Sequence, residues 1–81
     1  MLVDMDTYKH LGENFGRIRK RLGLTQEQVS DLTGLSQQYL STLERGQQNA
    51  TLKSLLAIGA GLEIDYLELL LPPDMELRKK R

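Results

Sequence analysis

Residues 23–46 read GLTQEQVSDLTGLSQQYLSTLERG, and they contain two short helical patterns joined only by Gly34-Leu35-Ser36. Thr25 precedes the first pattern and Ser36 lies before the second, and both side chains are favourable helix N-caps. Gly34 and Gly46 follow the two patterns, where a helix commonly needs a residue in the left-handed conformation. Because a short turn that contains glycine makes two helices cross steeply, this segment predicts a helix-turn-helix.

Further helical signals extend along the chain on both sides of this segment. Leu11, Phe15, Ile18 and Leu22 lie at the i, i+4, i+7 and i+11 positions of one helix face. No segment alternates like a strand, and Pro72-Pro73 ends the folded part. We therefore expect one all-α domain over residues 1–73 and a charged, flexible tail over 74–81. The expected helices span residues 7–22, 26–33, 37–45, 52–61 and 66–71.

Composition argues against several classes of protein. The chain has 81 residues, one histidine and no cysteine, so it can hold neither a disulfide nor a cysteine-based metal site. It contains no glycine-rich phosphate loop and no apolar run near the ~20 residues that a membrane-spanning helix needs. We therefore expect a non-enzymatic, cytoplasmic protein without metal, cofactor or small-molecule ligand.

Charge is unevenly distributed, although the formal net charge is zero. Residues 9–53 carry seven basic and four acidic side chains, a net charge of +3, whereas residues 54–76 carry five acidic side chains and no basic ones. The basic half can face phosphate while the acidic half faces elsewhere. Solvated protein surfaces often show the same segregation, so charge alone does not decide in favour of nucleic acid.

Residues 12–58 resemble the Cro/phage-repressor type of helix-turn-helix domain, the XRE-like family. The resemblance extends over about residues 11–71 and implies a five-helix, lambda-repressor-like bundle that binds operator DNA, usually as a dimer. The segment ERGQQNATL is also similar to the controller proteins of restriction–modification systems, and phage repressors and antitoxins look similar over this stretch. The most specific motifs are Gly23-Leu24-Thr25-Gln26, Gly34-Leu35-Ser36, and Leu43-Glu44-Arg45-Gly46 followed by Asn49 and Leu52.

Three features depart from the usual pattern of this family. Asn49 is followed by Ala50 instead of proline, and Glu63 stands where a residue that tolerates the left-handed conformation, often glycine, is common. Gly59 and Gly61 lie inside the fourth helix, where each costs up to about 1 kcal/mol relative to alanine. We interpret these two glycines as sites of close helix packing.

The third helix presents the side chains that we expect to contact bases. On a helical wheel, Tyr39, Leu40 and Leu43 face the core, and polar side chains fill the opposite arc. The first turn of that arc holds two glutamines, and a glutamine amide can form a bidentate pair with adenine. The alternative is that these glutamines are only soluble helix formers. The expected base contacts are Gln37, Gln38, Ser41 and Thr42.

Phosphate contacts are expected around this helix. The resemblance implies that Gln26 binds a phosphate at the start of the second helix, where unpaired amides and the helix dipole favour an anion. It also implies a partly buried ion pair between Arg19 and Glu44 that joins the first and third helices, and both residues lie at the margin of their apolar faces. The full set of expected phosphate contacts is Gln26, Arg45, Asn49, Thr51, Lys53, Arg17 and Lys20.

The C-terminal helix is apolar on all sides, and an isolated domain can bury only one of them. We therefore expect a homodimer through Ile64, Tyr66, Leu67, Leu70 and Leu71, with the two third helices about 34 Å apart to match one turn of double-stranded DNA. The expected function is sequence-specific transcription regulation at a palindromic operator in a bacterium or phage. The alternatives are an antitoxin or another protein-interaction module, and a purely structural dimerisation domain.

Overall fold

The computed structural model describes residues 5–47 and 50–71, with side chains from residue 7 onward. Within these ranges the chain forms four α-helices, one 3₁₀ helix and no strand, which confirms the all-α class. The tail predicted at 74–81 and the predicted domain end at 73 lie outside the described residues. The elements are α1, Met5–Arg21; α2, Gln26–Thr33; α3, Gln37–Glu44; α4, Leu52–Leu62; and the 3₁₀ turn, Tyr66–Leu69.

Side-chain caps set the ends of α2 and α3. The Thr25 hydroxyl accepts a hydrogen bond from the Gln28 amide at 3.0 Å, and the Gln28 side chain accepts one from the Thr25 amide at 2.8 Å. Ser36 caps α3 by accepting from the Tyr39 amide. Gly34 ends α2 at a φ of 80°, in the left-handed region that glycine tolerates. These local signals explain why the predicted bounds of both helices agree with the observed ones to within one residue.

Several predicted helix ends differ from the observed ones by one or two residues, and two of these differences affect the packing. Leu22 lies in the turn after α1 and is 41% exposed, so it does not belong to the apolar stripe of that helix. The predicted fifth helix is present as a four-residue 3₁₀ turn. Proline at position 72 has no amide hydrogen and disfavours the α conformation in the residue before it, so too few residues remain for a longer helix.

One apolar core lies between the helices. α1 packs on α3 and on the 3₁₀ turn, and α2 packs on α3 and α4. This packing buries the inner faces of all four helices and leaves the predicted polar arc of α3 outside the core. The buried apolar side chains are Leu11, Phe15, Ile18, Val29, Leu40, Leu43, Leu55, Ile58, Leu62 and Leu69.

Glycines let the helices approach closely at three places. A Cβ on Gly12 of α1 would lie 2.5 Å from the Leu43 carbonyl oxygen, so the backbone of α1 rests directly against the end of α3. A Cβ on Gly61 would lie 2.9 Å from a carbonyl oxygen of α2, and one on Gly59 would lie 3.2 Å from the Cβ of Tyr66. The interpretation of Gly59 and Gly61 as packing sites is confirmed, whereas the sequence pattern does not signal the closer contact at Gly12.

Glu63 ends α4 in the left-handed conformation, at a φ of 59°. Its amide donates a hydrogen bond to the Ala60 carbonyl at 3.3 Å. A side chain with a Cβ costs about 1–2 kcal/mol in this conformation. Glu63, at a position where glycine is common in similar proteins, therefore carries a local energetic cost.

Candidate nucleic-acid interface

Helix α3 projects the polar side chains of its first turn away from the core. Leu40 and Leu43 are 0% and 1% exposed, whereas Gln37 and Gln38 are exposed. No group among the described residues hydrogen-bonds the side-chain amides of these two glutamines. Each amide offers two donor hydrogens and one acceptor oxygen, so the pair can meet the edge of a base.

Ser41 and Thr42 lie half-buried on the next turn of α3, and their hydroxyls already have partners. The Ser41 hydroxyl accepts a hydrogen bond from the Arg45 guanidinium at 2.6 Å. The Thr42 hydroxyl donates to the Tyr39 carbonyl at 2.9 Å. Ser41 therefore keeps its own hydrogen as a donor, whereas the hydroxyl hydrogen of Thr42 is used within α3.

A partly buried cluster of three side chains joins α1, α2 and α3. Arg19 Nε and Nη2 donate to the two carboxylate oxygens of Glu44 at 3.0 and 2.8 Å. These two side chains are 14% and 18% exposed. Gln26 Nε2 donates to the same carboxylate at 3.1 Å. The ion pair that the resemblance implies is present, and it extends to the first residue of α2.

The surroundings of this ion pair shift both pKa values. Burial by itself would raise the pKa of the Glu44 carboxyl, but the hydrogen bonds from Arg19 and Gln26 and the charges of Arg19 and Lys20 outweigh it, so this pKa lies below its ordinary value. The hydrogen bond to Glu44 raises the pKa of the Arg19 guanidinium. Both groups therefore stay charged at neutral pH, and α2 stays tied to the end of α3.

The start of α2 offers backbone donors for a phosphate. Thr25 satisfies the amide of Gln28, whereas the amides of Gln26 and Glu27 have no carbonyl partner within the helix. The side-chain nitrogen of Gln26 is bound to Glu44. This nitrogen has a second hydrogen, so the side chain of Gln26 and the backbone amides together offer donors to an anion at the start of α2.

Two exposed cations lie near the end of α3 and the start of α4. Arg45 follows α3, and Lys53 lies in the first turn of α4. The Thr51 hydroxyl, also expected at a phosphate, accepts a hydrogen bond from an α4 amide at 3.1 Å and thereby caps that helix. Asn49 lies outside the described residues. Among the residues expected at a phosphate in this region, Arg45 and Lys53 are the ones whose side chains carry a positive charge.

Arg17 and Lys20 lie one turn apart on α1, and both are exposed. Arg17 Nη2 donates to the Asn14 side-chain oxygen at 3.0 Å, a structural partner that the sequence did not indicate. Lys20 is close enough to Glu44 for its charge to lower the pKa of that carboxyl. Both cations are therefore open to solvent and also interact with residues of the fold.

A chain of hydroxyl groups, which sequence reasoning missed, joins α3 to α4. Tyr39 donates to the Ser54 hydroxyl at 2.8 Å, and Ser54 donates to the Thr51 carbonyl at 2.8 Å. Ser54 is only 5% exposed. Because buried tyrosine hydroxyls usually find a partner, a tyrosine on the inner face of α3 was the available signal. This chain fixes α3 relative to the start of α4, where Lys53 lies.

Four exposed leucines form a C-terminal apolar face, defined here as Leu52, Leu56, Leu67 and Leu70. Their side chains are 60%, 48%, 40% and 45% exposed. Leu52 and Leu56 lie seven and three residues before Gly59, so all three share one side of α4. Gly59 packs against the 3₁₀ turn, so the side of α4 that carries Leu52 and Leu56 adjoins that turn.

The predicted dimer residues divide into two groups in the structure. Leu67 and Leu70 are exposed, whereas Ile64, Tyr66 and Leu71 are half-buried, and the first two of these pack against the core. Sequence reasoning did not include Leu52 and Leu56 of α4 in the interface, because leucines at positions i and i+4 of a helix are also typical of a side that faces the core.

Other kinds of site were sought in the same residues. In the part of the chain that the structure describes, no group of three or more His, Cys, Asp or Glu side chains could hold a metal ion. None of the helices found there combines the length and the apolar character that crossing a bilayer requires.

The geometry defines a class of protein. A capped helix with two exposed glutamines, seated on a partly buried ion pair and flanked by exposed cations, is a DNA-binding helix-turn-helix. The chain belongs to the helix-turn-helix family, whose model matches residues 16–69. The resemblance to the Cro/phage-repressor type and to controller proteins is thereby confirmed.

Three proteins with similar sequence or structure are described as regulators or controller proteins, the first of them as an uncharacterized one. An HTH-type transcriptional regulator, y4dJ, from Sinorhizobium fredii is 47% identical over 86% of this chain and 91% of that protein. The control protein C.SmaI of Serratia marcescens is 33% identical over 82% of this chain and 79% of that protein. The crystal structure of the restriction-modification controller protein C.AhdI from Aeromonas hydrophila matches with a TM-score of 0.74 at 34% identity, over 76% of this chain and 94% of that chain.

Proposed function

We propose that this chain regulates transcription in a bacterial or phage-infected cell by binding a palindromic operator as a homodimer. The single observation that supports this best is the pair of exposed glutamine side chains in the first turn of α3. Gln37 and Gln38 are exposed at the end of the helix that enters the major groove first in domains of this class. The Arg19–Glu44 ion pair ties the other end of that helix to α1.

Base recognition and phosphate binding are assigned to different side chains. A glutamine amide donates to N7 and accepts from N6 of an adenine in one bidentate pair, so Gln37 and Gln38 supply sequence preference. Ser41 and Thr42 lie one turn deeper and add contacts to neighbouring bases. Charged contacts to phosphate give affinity and register but carry no sequence information. Arg45 and Lys53 are the principal cations in this role, with Arg17 and Lys20 on the α1 side.

The proposed dimer forms through the C-terminal apolar face. Exposed apolar side chains that adjoin one another mark interaction surfaces, and Leu56, Leu67 and Leu70 are each 40–48% exposed in the isolated chain. A second copy related by a twofold axis covers the same face on both chains. Such a dimer places two α3 helices about 34 Å apart, which matches successive major grooves on one side of the duplex.

The experiment that tests this proposal begins by selecting bound fragments from genomic DNA and deriving the operator from them. Gln38→Ala and Lys53→Ala are then titrated with salt against operator and scrambled duplex. Gln38→Ala should lose about 1–3 kcal/mol of discrimination at one symmetric pair of positions. It should leave binding to scrambled duplex nearly unchanged. Lys53→Ala should weaken both duplexes alike and lower the salt slope by about one unit.

The two variants serve as controls for each other, since both side chains are exposed and neither change should unfold the domain. If Gln37→Ala and Gln38→Ala both leave the specific-to-nonspecific ratio unchanged, base recognition does not come from the first turn of α3. If no fragment is enriched at all, operator binding is refuted, and the domain is better described as a protein-interaction module such as an antitoxin.

A further inference from the structure

Asn14 is a buried polar side chain that is not itself expected to contact DNA. It lies on the inner side of α1 and is 0% exposed. Its Nδ2 donates hydrogen bonds to the carbonyls of Leu69, at 2.9 Å, and Leu71. Its Oδ1 accepts from Arg17 Nη2 at 3.0 Å. One short side chain thus connects α1 to the 3₁₀ turn, which lies 55 residues further along the chain.

The 3₁₀ turn has little intrinsic stability of its own. It contains four residues, and short 3₁₀ segments have poorer hydrogen-bond geometry than α-helices. Its local bonds run from the Glu68 amide to the Asp65 carbonyl and from the Leu70 amide to the Leu67 carbonyl. Tertiary contacts must therefore hold the turn in place, and its contacts with the rest of the chain include the buried side chain of Leu69 and the two bonds from Asn14.

The position of this turn determines how the C-terminal apolar face is presented. Leu67 and Leu70 project from the turn at 40% and 45% exposure, while Leu69 between them is fully buried. A shift or fraying of the turn would displace both exposed leucines together. Asn14 donates hydrogen bonds to the carbonyls of Leu69 and Leu71, the two residues on either side of Leu70. It therefore holds the backbone that carries one of the exposed leucines.

We propose that Asn14 is a positioning residue for dimerisation, which fixes the 3₁₀ turn so that Leu67 and Leu70 meet a second copy of this chain. This inference rests on the homodimer of the proposed function. The role requires two N–H donors on a short side chain, which asparagine offers and aspartate and leucine do not. Arg17 contributes by occupying the amide oxygen, so that the amide nitrogen faces the turn.

The test is Asn14→Asp, which keeps the shape of the side chain and removes both donors. Sedimentation equilibrium measures the dimer dissociation constant, and hydrogen exchange reports the Leu70 amide and amides of α2 and α3. An unsatisfied buried carbonyl is costly, so the dimer should weaken by at least about tenfold, the equivalent of 1.4 kcal/mol. The Leu70 amide should lose protection while the amides of α2 and α3 keep theirs.

A second pair of variants keeps the inference testable if Asn14→Asp unfolds. Arg17→Ala and Lys9→Ala each remove one exposed cation from α1, and of the two only Arg17 bonds Asn14. Arg17→Ala should weaken the dimer by roughly two- to threefold, since it removes one hydrogen bond from a part-exposed group. Lys9→Ala should leave the dissociation constant unchanged. Equal dissociation constants for these two variants would overturn the inference.

The remaining outcomes separate this inference from the proposed function. If Asn14→Asp folds and dimerises with the same dissociation constant as the wild type, only the proposed role of Asn14 is overturned. A wild-type protein that stays monomeric at tens of micromolar, with and without operator, overturns the proposed homodimer and the positioning role with it.

Discussion

Removal of the negative charge at Glu44 is the sharpest test of how α3 is held. In the wild type the carboxylate accepts three hydrogen bonds, two from Arg19 and one from Gln26, at 2.8–3.1 Å. Glu44→Gln keeps the size of the side chain but brings an NH₂ group against these donors. Arg19, whose side chain is only 14% exposed, then loses its charged partner.

The expected cost lies between two limits. Exposed ion pairs contribute about 0–1 kcal/mol, and breaking a fully buried pair costs about 3–5 kcal/mol. With side chains 14% and 18% exposed, this pair lies between these cases, so we expect Glu44→Gln to cost about 2 kcal/mol. In a domain of this size, that corresponds to a fall in Tm of about 8–16 °C.

Thermal unfolding followed by circular dichroism measures this cost, and the chain offers a matched control. Arg21 and Glu68 also form an ion pair between α1 and the 3₁₀ turn, but at 3.9 Å and with side chains 57% and 24% exposed. Glu68→Gln should therefore cost less than about 0.5 kcal/mol. A double-mutant cycle with Arg19→Met should show coupling to Glu44. Equal small losses in the two Gln variants, with additive effects in the cycle, would refute the reasoning.

Two further predictions concern stability. Since the folded-state pKa of Glu44 lies below its ordinary value of 4.5, its contribution is complete above the unfolded-state pKa and is lost as pH falls through the folded-state pKa. As the pH falls below 4.5, Tm should thus fall more steeply for the wild type than for Glu44→Gln. Parallel curves of Tm against pH for the two proteins would contradict this. Glu63→Gly should relieve the left-handed backbone at that residue and stabilise the domain by about 0.5–1 kcal/mol. Glu63→Ala, which keeps a Cβ, should give no such gain in Tm, and equal gains would exclude backbone strain as the cause.

The parts of the fold that follow local rules could be predicted from the sequence. The Thr25 cap, its partner Gln28 and the closing Gly34 act within a few residues of one another, so their spacing determines where α2 begins and ends. The buried side of α3 followed from its period, which placed Leu40 and Leu43 in the core.

Features that depend on contacts between distant segments could not be predicted. Asn14 appears in the sequence as one more polar residue of α1, and its role depends on carbonyls 55 and 57 residues away. The exposed Leu52 and Leu56 have the same spacing as a buried pair, and only the packing of α4 shows which side faces solvent. Gly12 has no side chain, so a pattern of polar and apolar residues cannot show which way it faces. Its contact with the end of α3 is known only once the packing of α1 on α3 is known.

The direct backbone contact at Gly12 bears on how such a protein can evolve. The end of α3 rests on the main chain of α1, with the Leu43 carbonyl 2.5 Å from where a Cβ of Gly12 would lie. The support of α3 thus makes no use of the side chains of Gln37 and Gln38. Substitution at these two exposed positions should therefore cost little stability, whereas a side chain at position 12 would meet the backbone of α3. Under the proposed function, a lineage built on this scaffold can diversify its DNA targets by exchanging two surface side chains while the helix contact at Gly12 stays constant.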